Sequence, residues 1–379
     1  MPRRWISVKW KKNLKKKQVF ILCLLLFLCL VSMVFVTNNY GVYDRPIAKV
    51  VHMEVTHSEA EIDMNGNKDR LYTQKLIGEL KNGNQKGKKI ELTNSYTKSK
   101  AYDQAYKTGD ELFITIDKSK GKTLKGTIQD VKRDKYMMAG FWAFLIVLYG
   151  IGKKQGLFAV FSLAVNIALL AGALEIYVRT GQNLLLLSGL LVILFTVLSL
   201  LVINGPNQKT YAAILTTLLG TFASIGITLL VMRMTSENGL RYEEMQFLTR
   251  PYKTVFIAGL FIGALGAVMD VAITITSSIF ELWEKNHDIT IQALKKSGLE
   301  IGRDIMGTMT SILFFAYISG SIPMLILYLK NALPLGYTLS VNLSLELTRA
   351  LAGGIGIVLA IPIGLYISIF FIKRKRANI

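Results

Sequence analysis

Carboxylates within apolar stretches are the residues of this sequence best suited to chemistry. Asp270 lies near the middle of a long apolar run, and Asp304 lies just inside the next one. A carboxylate at the centre of a membrane helix costs roughly 2.5 to 3.5 kcal/mol on insertion scales, so the folded protein must hydrate it, pair it or keep it protonated. Such a group can take up and release a proton, which makes Asp270 the first candidate for a functional site.

Polar residues follow Asp270 at helical intervals. Steps of four, three and four residues lead from Asp270 to Thr274, Ser277 and Glu281. Residues at these intervals share one face of an α-helix. The spacing predicts a polar stripe that runs from mid-membrane to one surface, where it would line a proton or substrate pathway. We call these four residues the Asp270 stripe.

The preceding apolar run carries a second set of polar residues. Steps of four and three residues join Thr217, Thr221 and Ser224, which we call the hydroxyl stripe. Two helices with polar faces can line a common pathway. Hydroxylated residues also help membrane helices to pack against each other, and each such contact stabilises the bundle by less than about 2 kcal/mol. Both interpretations stay open for the hydroxyl stripe.

The start of the run after Asp270 supplies a further set of pathway candidates. Arg303 and Asp304 open this run, and Thr308 follows Asp304 by one helical turn. A carboxylate near a helix N-terminus is also stabilised by the helix dipole, so Asp304 can equally be a capping residue. Glu346 and Arg349, in the last apolar run, have the spacing of a local ion pair.

The composition is that of a membrane protein with several helical spans. Hydrophobic residues make up 51% of the 379 positions, and the mean hydropathy is +0.39. Apolar runs close to the ~20 residues that cross a hydrocarbon core predict eight transmembrane helices. The predicted spans are 18–36, 137–152, 157–178, 184–203, 210–232, 254–283, 304–329 and 346–372.

Basic residues predict the orientation of these spans. With the N-terminus inside, the inner segments carry 19 Lys and Arg, and the short outer loops carry six, including Arg250. Lys and Arg accumulate on the inside, so both termini are predicted to be cytoplasmic, in the cell membrane. A re-entrant 137–152 would leave seven spans and place the basic tail outside, against this rule. The first span follows a basic region and lacks a cleavage site, which predicts an uncleaved signal anchor.

The predicted fold class is a membrane all-α bundle of about eight transmembrane helices, with a small exported β-rich domain inserted after the first helix. Short alternating runs separated by turn signals predict an antiparallel β-barrel or sandwich in this domain, with a Lys and Gly turn before the last strand. The predicted strands are 47–55, 71–80, 89–94, 111–117 and 123–131. The predicted domains are a basic N-terminus and signal anchor (1–36), the exported domain (37–135) and a seven-helix membrane domain (136–379).

Motifs of enzyme chemistry are missing from the sequence. It has no H-E-x-x-H and no G-x-S-x-G, and the NGPNQKT turn (204–210) lacks the glycines of a phosphate loop. The three histidines are scattered and both cysteines lie in the first span, so we predict no metal, cofactor or disulfide framework. Topology and anionic lipids account for much of the net charge of +20, without nucleic acid. We therefore expect a protein that is not an enzyme and whose surroundings are the lipid bilayer.

Four long segments resemble the YibE/F family of bacterial membrane proteins. They are GPNQKTYAAILTTLLGT (205–221), GALGAVMDVAITITSSIFEL (263–282), SGLEIGRDIMGTMTSILFFAY (297–317) and LAGGIGIVLAIPI (351–363). The signal anchor and β-rich domain ahead of them resemble the longer, YibE-like branch of the family. This resemblance implies a membrane location and a shorter YibF-like membrane protein as partner. It implies no settled activity.

The order of elements is also similar to the SecD and SecF export subunits. In both, a signal anchor and an exported domain precede a span with a central Asp, a cytoplasmic loop and a span that opens with Asp and Thr. This similarity implies that Asp270 and the Asp304 to Thr308 pair match the corresponding positions of those proteins. We therefore predict a transporter or export-assisting protein, proton-coupled through Asp270, for a small-molecule or polymer substrate that the sequence does not identify. The alternative is a non-transporting envelope scaffold that acts with a partner membrane protein.

Overall fold

The computed structural model of the protein describes residues 16–62, 64, 66–100, 103–117, 124–245 and 251–376. The basic residues before Lys16, the Lys and Gly turn at 118–123 and Arg250 lie outside the described residues. The chain divides into two compact units, one up to Ile151 and one from Gly152 onward. Each unit is described separately below.

The first unit contains a closed five-stranded β-barrel that follows the helix α1 (Lys16–Asn38). Its strands are β1 (Ile47–Ile62), β2 (Lys68–Leu80), β3 (Lys89–Thr97), β4 (Glu111–Ile116) and β5 (Leu124–Val131). They close in the order β1-β2-β3-β5-β4, as in small barrels of the OB type. The barrel departs from the antiparallel expectation in one respect, because β3 and β5 pair in parallel.

Alternating side chains of these strands fill the barrel. Val50 of β1, Leu76 of β2 and Leu92 of β3 are almost completely buried, and their sequence neighbours face outward. This period of two is the pattern of strands with one face against a core. Gly126 of β5 is required by a close strand approach, since a Cβ there would collide with the carbonyl oxygen of Thr115 on β4. The outer ends of β1 and β2 continue beyond this core as an exposed two-stranded arm.

A buried lysine holds the barrel to the helices of the same unit. The Lys132 side chain is 1% exposed, and its Nζ donates to the carbonyl oxygen of Val36 at 2.8 Å. The same ammonium lies 3.4 Å from a carboxylate oxygen of Glu111 and 3.4 Å from one of Asp134. The Tyr40 hydroxyl donates to Glu111 at 2.6 Å. Charge pairing and hydrogen bonds therefore satisfy Lys132 in a site that excludes water.

The helix α2 (Asp134–Thr180) covers both the second and the third predicted span. A straight helix of this length would be about 70 Å long at about 1.5 Å per residue, more than twice a hydrocarbon core of about 30 Å. Lys153 interrupts it with non-helical dihedral angles (φ 50°, ψ −126°). Within the described residues, seven helices are long and apolar enough to cross a membrane. The division of α2 into two spans stays a prediction.

The second unit continues with five helices that match the remaining predicted spans, with two of them starting earlier. They are α3 (Leu184–Asn204), α4 (Gln208–Met234), α5 (Tyr252–Lys285), α6 (Ile291–Lys330) and α7 (Leu335–Arg376). Capping of α6 by Asp304 is wrong, because α6 begins at Ile291 and Thr290 is its N-cap, accepting from the backbone N–H of Ala293 at 3.1 Å. Arg349 pairs with Glu346 as predicted, although α7 starts well before them.

Glycines let α4, α5 and α7 approach closely in the core of this unit. A Cβ at Gly220 of α4 would lie 2.9 Å from the Val268 side chain of α5, and one at Gly356 of α7 would collide with the same valine. A Cβ at Gly364 would lie 3.0 Å from Thr216. The hydrophobic effect does not drive helices together in lipid, because lipid tails are as apolar as the side chains. Close van der Waals packing of this kind therefore stabilises a membrane bundle.

A topology experiment tests the eight-span model. A reporter fused at residue 100 should be external and one fused after Arg376 cytoplasmic, because basic residues at both termini favour the inside. A reporter in the short loop between α5 and α6 (286–290) should match the one after Arg376, since two helices separate them. Reporters after residues 5 and 379 on opposite sides of the membrane would contradict eight spans.

Replacing the buried lysine should destabilise the first unit. Lys132→Met leaves Glu111 buried without its cation, and breaking a buried pair in this way costs about 3 to 5 kcal/mol. Thermal unfolding of the full-length protein in detergent measures the loss. Lys98→Met, at an exposed position just after β3, is the matched control and should change the free energy of unfolding little. Equal stability of the two variants would show that the buried cluster contributes nothing.

Enlarging a core glycine should destabilise the second unit. Gly356→Ala forces Val268 away from α7, and overpacking of this kind costs about 1 to 3 kcal/mol. Gly226→Ala on α4, where a Cβ meets no atom within 4 Å, is the control. Denaturant unfolding in mixed micelles should separate the two variants, and a loss of stability in both would argue against helix packing as the cause.

Candidate functional site

The Asp270 stripe lies on the side of the second unit rather than inside it. Asp270, Ser277 and Glu281 are exposed on α5, and Thr274 is half-buried. The Asp270 carboxylate has no hydrogen bond or ion pair with any residue in the described part of the chain. A carboxylate therefore points outward from a membrane-length helix, without a partner among the residues that the structure describes.

The opposite face of α5 explains this orientation. Val268, Val271 and Ile275 are completely buried in the cluster that α5 forms with α4 and α7. A helix places the residues on its two sides in opposite directions, so burying this apolar face turns the Asp270 stripe outward.

The two sides of the exposed face of α5 pack against different clusters. Met269 packs against the cluster that includes Leu191 and Phe195 of α3, and Ala267, on the other side of Asp270, packs against the cluster that includes Leu294 of α6. Asp270 therefore lies on the exposed face between these two packed sides of α5.

Two contacts between antiparallel helices set the depth of Asp270 relative to α6. Gly263 of α5 lies against the Tyr317 side chain, and Ile279 of α5 lies against Gly298. Asp270 is roughly midway between them, near the level of Thr308 on a helix that rises about 1.5 Å per residue. Arg303, Asp304 and Thr308 are all exposed on α6. Within the described residues, neither Arg303 nor Asp304 forms an ion pair.

Two members of the stripe already have partners on their own helix. The Thr274 hydroxyl donates to the backbone carbonyl of Asp270 at 2.8 Å. Glu281 pairs with Lys285, one turn later, at 2.7 Å. Asp270 and Ser277 are thus the members whose side chains are available to a proton, a water molecule or a ligand.

A polar cavity of about 150 Å³ adjoins the Asp270 stripe at Ser277, where α3 ends and α4 begins. The NGPNQKT turn lacks the glycines of a nucleotide loop, and its sequence does not reveal this cavity. The turn supplies several polar side chains of the cavity. Ser277 is distant from the turn in sequence, and the packing of α5 places it beside them. The lining residues are Gln155, Ile203, Asn204, Asn207, Lys209, Thr210, Ala213, Ile273 and Ser277.

The hydroxyl stripe of α4 lies apart from the Asp270 stripe, in the helical core. Thr217, Thr221 and Ser224 are completely buried. The Thr217 hydroxyl donates to the carbonyl oxygen of Ala213 at 2.8 Å, and the Ser224 hydroxyl donates to that of Ala352 on α7. A hydrogen bond within α4 satisfies the Thr217 hydroxyl and one between α4 and α7 satisfies the Ser224 hydroxyl, and the structure does not bring these two groups to Asp270.

The ionisable group available at this site is a carboxylate. No group of three or more His, Cys, Asp or Glu side chains that could hold a metal ion occurs among the residues that the structure describes. Asp270 carries the one ionisable group of the stripe without a partner in that part of the chain. A carboxylate can accept hydrogen bonds or bind a proton.

Family comparisons agree with the architecture. The model of the YibE/F-like protein matches residues 140–374, which include the Asp270 stripe and the polar cavity. The model of the YibE/F family N-terminal domain matches residues 41–131, which include the barrel. No curated protein and no solved structure matches the chain. Because the first model alone covers more than half of the sequence, the chain belongs to the YibE/F family of membrane proteins.

Proposed function

We propose that this protein is a transporter or an export-assisting protein of the cell membrane, in which Asp270 takes up and releases a proton. The observation that carries the proposal is an outward-facing carboxylate, near the middle of a membrane-length helix, that has no cationic partner in the described residues. A structural ion pair would need such a partner. A proton carrier needs a carboxylate that has no fixed counter-ion and that a proton donor or water can reach.

The cost of placing a charge in the bilayer limits the surroundings that Asp270 can have. An ionised aspartate facing lipid would cost roughly 2.5 to 3.5 kcal/mol or more, so the stripe must be covered by protein, reached by water or protonated. We propose that a second membrane protein, of the shorter YibF-like kind, covers the exposed Asp270 face of α5. The pathway would then lie between the two proteins, with the Asp270 stripe as one wall.

The surroundings of Asp270 support a course for the proton. Ser277 lies two helical turns beyond Asp270 and lines the polar cavity, which supports a polar route from the carboxylate toward the end of α5. On α6, Thr308 lies near the depth of Asp270 and Asp304 lies one turn toward the same end. These positions support joint action of α5 and α6 in the proposed proton transfer.

The competing function is a non-transporting envelope scaffold. The observation that favours it is the arm of β1 and β2, which exposes Val51, Val55, Ile62 and Met64. Exposed apolar side chains along an exported arm are suited to binding a partner protein. In that case Asp270 would serve only contacts within the membrane, and its protonation would not matter.

Replacing the carboxylate distinguishes these functions. Asp270→Asn keeps the shape and hydrogen bonding of the neutral acid, so the variant should insert and fold normally but fail to restore the envelope and metabolite profile of a deletion strain. Infrared difference spectra of the purified protein should show a protonated carboxyl band that titrates with pH in wild type and is missing in Asp270→Asn.

Asp288→Asn, an exposed aspartate in the loop between α5 and α6, is the matched control and should behave like wild type in both measurements. Full complementation by Asp270→Asn would reject the proton carrier and favour the scaffold. A fall in the amount of folded protein would instead assign Asp270 a structural ion pair, with a cost of several kcal/mol.

A further inference from the structure

We infer that the polar cavity at the start of α4 is a binding site for a phosphate-type oxyanion. This cavity has room for one tetrahedral anion or several water molecules, at about 150 Å³. The inference concerns binding alone and does not depend on proton transfer by Asp270.

The first argument is the geometry of the turn between α3 and α4. Asn207 is the N-cap of α4, and its Oδ1 accepts from the backbone N–H of Thr210 at 2.9 Å. Its Nδ2 donates to the carbonyl oxygen of Asn204 at 2.8 Å. The backbone N–H groups of Gln208 and Lys209, in the same first turn, have no helical carbonyl four residues earlier to which they could donate. Together with the helix dipole, they favour a negative charge beside the turn.

The second, independent argument is a buried hydroxyl without a partner. Thr210 lines the cavity, is 2% exposed, and its Oγ1 has no hydrogen-bond partner in the described residues. Thr216 and Thr217 of α4 behave differently, since their hydroxyls donate to the carbonyl oxygens four residues earlier. The buried hydroxyl of Thr221 also has no partner in the described residues, but Thr221 does not line the cavity. Thr210 is in the first turn, so the residue four positions earlier lies outside the helix. Its hydroxyl is left to donate to an atom in the cavity.

The charges around the cavity also favour an anion. Lys209 is the charged residue among those that line it, and the amides of Gln155 and Asn204 and the hydroxyl of Ser277 supply neutral donors. Two carboxylates lie nearby on α5. Glu284 pairs with Lys209 at 3.0 Å, and Glu281 pairs with Lys285, so each carboxylate is neutralised. Glu284 is exposed to solvent, which allows Lys209 to turn toward an anion at little cost.

The size of the cavity narrows the class of ligand. Sites for drug-sized molecules measure about 300 to 1,000 Å³, so this cavity is too small for a whole nucleotide. A single phosphate group fits its donors, either as free phosphate or as the head group of an anionic lipid at the membrane surface. The shared chemistry is a tetrahedral oxyanion that accepts from the Thr210 hydroxyl, the first-turn N–H groups and Lys209.

A binding experiment with the full-length protein tests the site. Inorganic phosphate is titrated into protein in non-ionic detergent, with chloride at the same ionic strength as reference, and binding is measured by calorimetry. Thr210→Val, which removes the hydroxyl and keeps the shape, should weaken phosphate binding about tenfold or more, as expected for a hydrogen bond to a charged group. Thr217→Val, a buried threonine of the same helix outside the cavity, should bind like wild type.

A second arm identifies the source of the phosphate group. The unfolding temperature is compared in nanodiscs of phosphatidylcholine and of an equal mixture with phosphatidylglycerol. Stabilisation by phosphatidylglycerol that Thr210→Val removes, without binding of free phosphate, assigns the site to a lipid head group. Binding of free phosphate assigns it to the soluble anion.

Three results would overturn the inference. They are the absence of both phosphate binding and stabilisation by phosphatidylglycerol, equal effects of Thr210→Val and Thr217→Val, and binding by Thr210→Val as strong as wild type. If Thr210→Val does not fold, Lys209→Gln takes its place, with Lys285→Gln as control. Lys285 also pairs with a glutamate of α5 but does not line the cavity, so equal binding by these two variants would likewise overturn it.

Discussion

The close contact of α4, α5 and α7 determines what the rest of the membrane unit can do. Val268 of α5 fits between Gly220 and Gly356, and a larger residue at either glycine position would displace the Val268 side chain. A helix that buries one face so tightly must present the opposite face outward. The contact that stabilises the bundle therefore also makes the Asp270 carboxylate accessible, so stability and the candidate chemistry depend on the same three helices.

Much of the architecture was predictable from the sequence because the bilayer and the barrel impose simple periods. Spans of about 20 apolar residues and alternating strands are local patterns, and the structure contains helices and strands at those places. The starts of α6 and α7 were missed because hydropathy reports only the part of a helix that lies in lipid. Residues 291–303 are too polar for a span, yet Leu294 and Gly302 pack as helical residues. The parallel pairing of β3 and β5 joins distant strands, which local patterns do not reveal.

The candidate site was predictable in its composition but not in its placement. Helical spacing alone identified the Asp270 stripe and the hydroxyl stripe. It could not tell that the first faces outward and the second is buried, because that depends on which face each helix gives to α7. The polar cavity was missed for the same reason. Gln155, Asn204 and Ser277 come from three helices, and only the packed bundle brings them together.

The buried ammonium of Lys132 has a mechanical consequence. It joins the end of α1 through the Val36 carbonyl, the barrel through Glu111 and the first turn of α2 through Asp134. One charged group thus has partners on three elements, and moving one element away while the others stay packed would leave a buried charge without part of its compensation. A displacement of the barrel is therefore coupled to the end of α1 and to the first turn of α2.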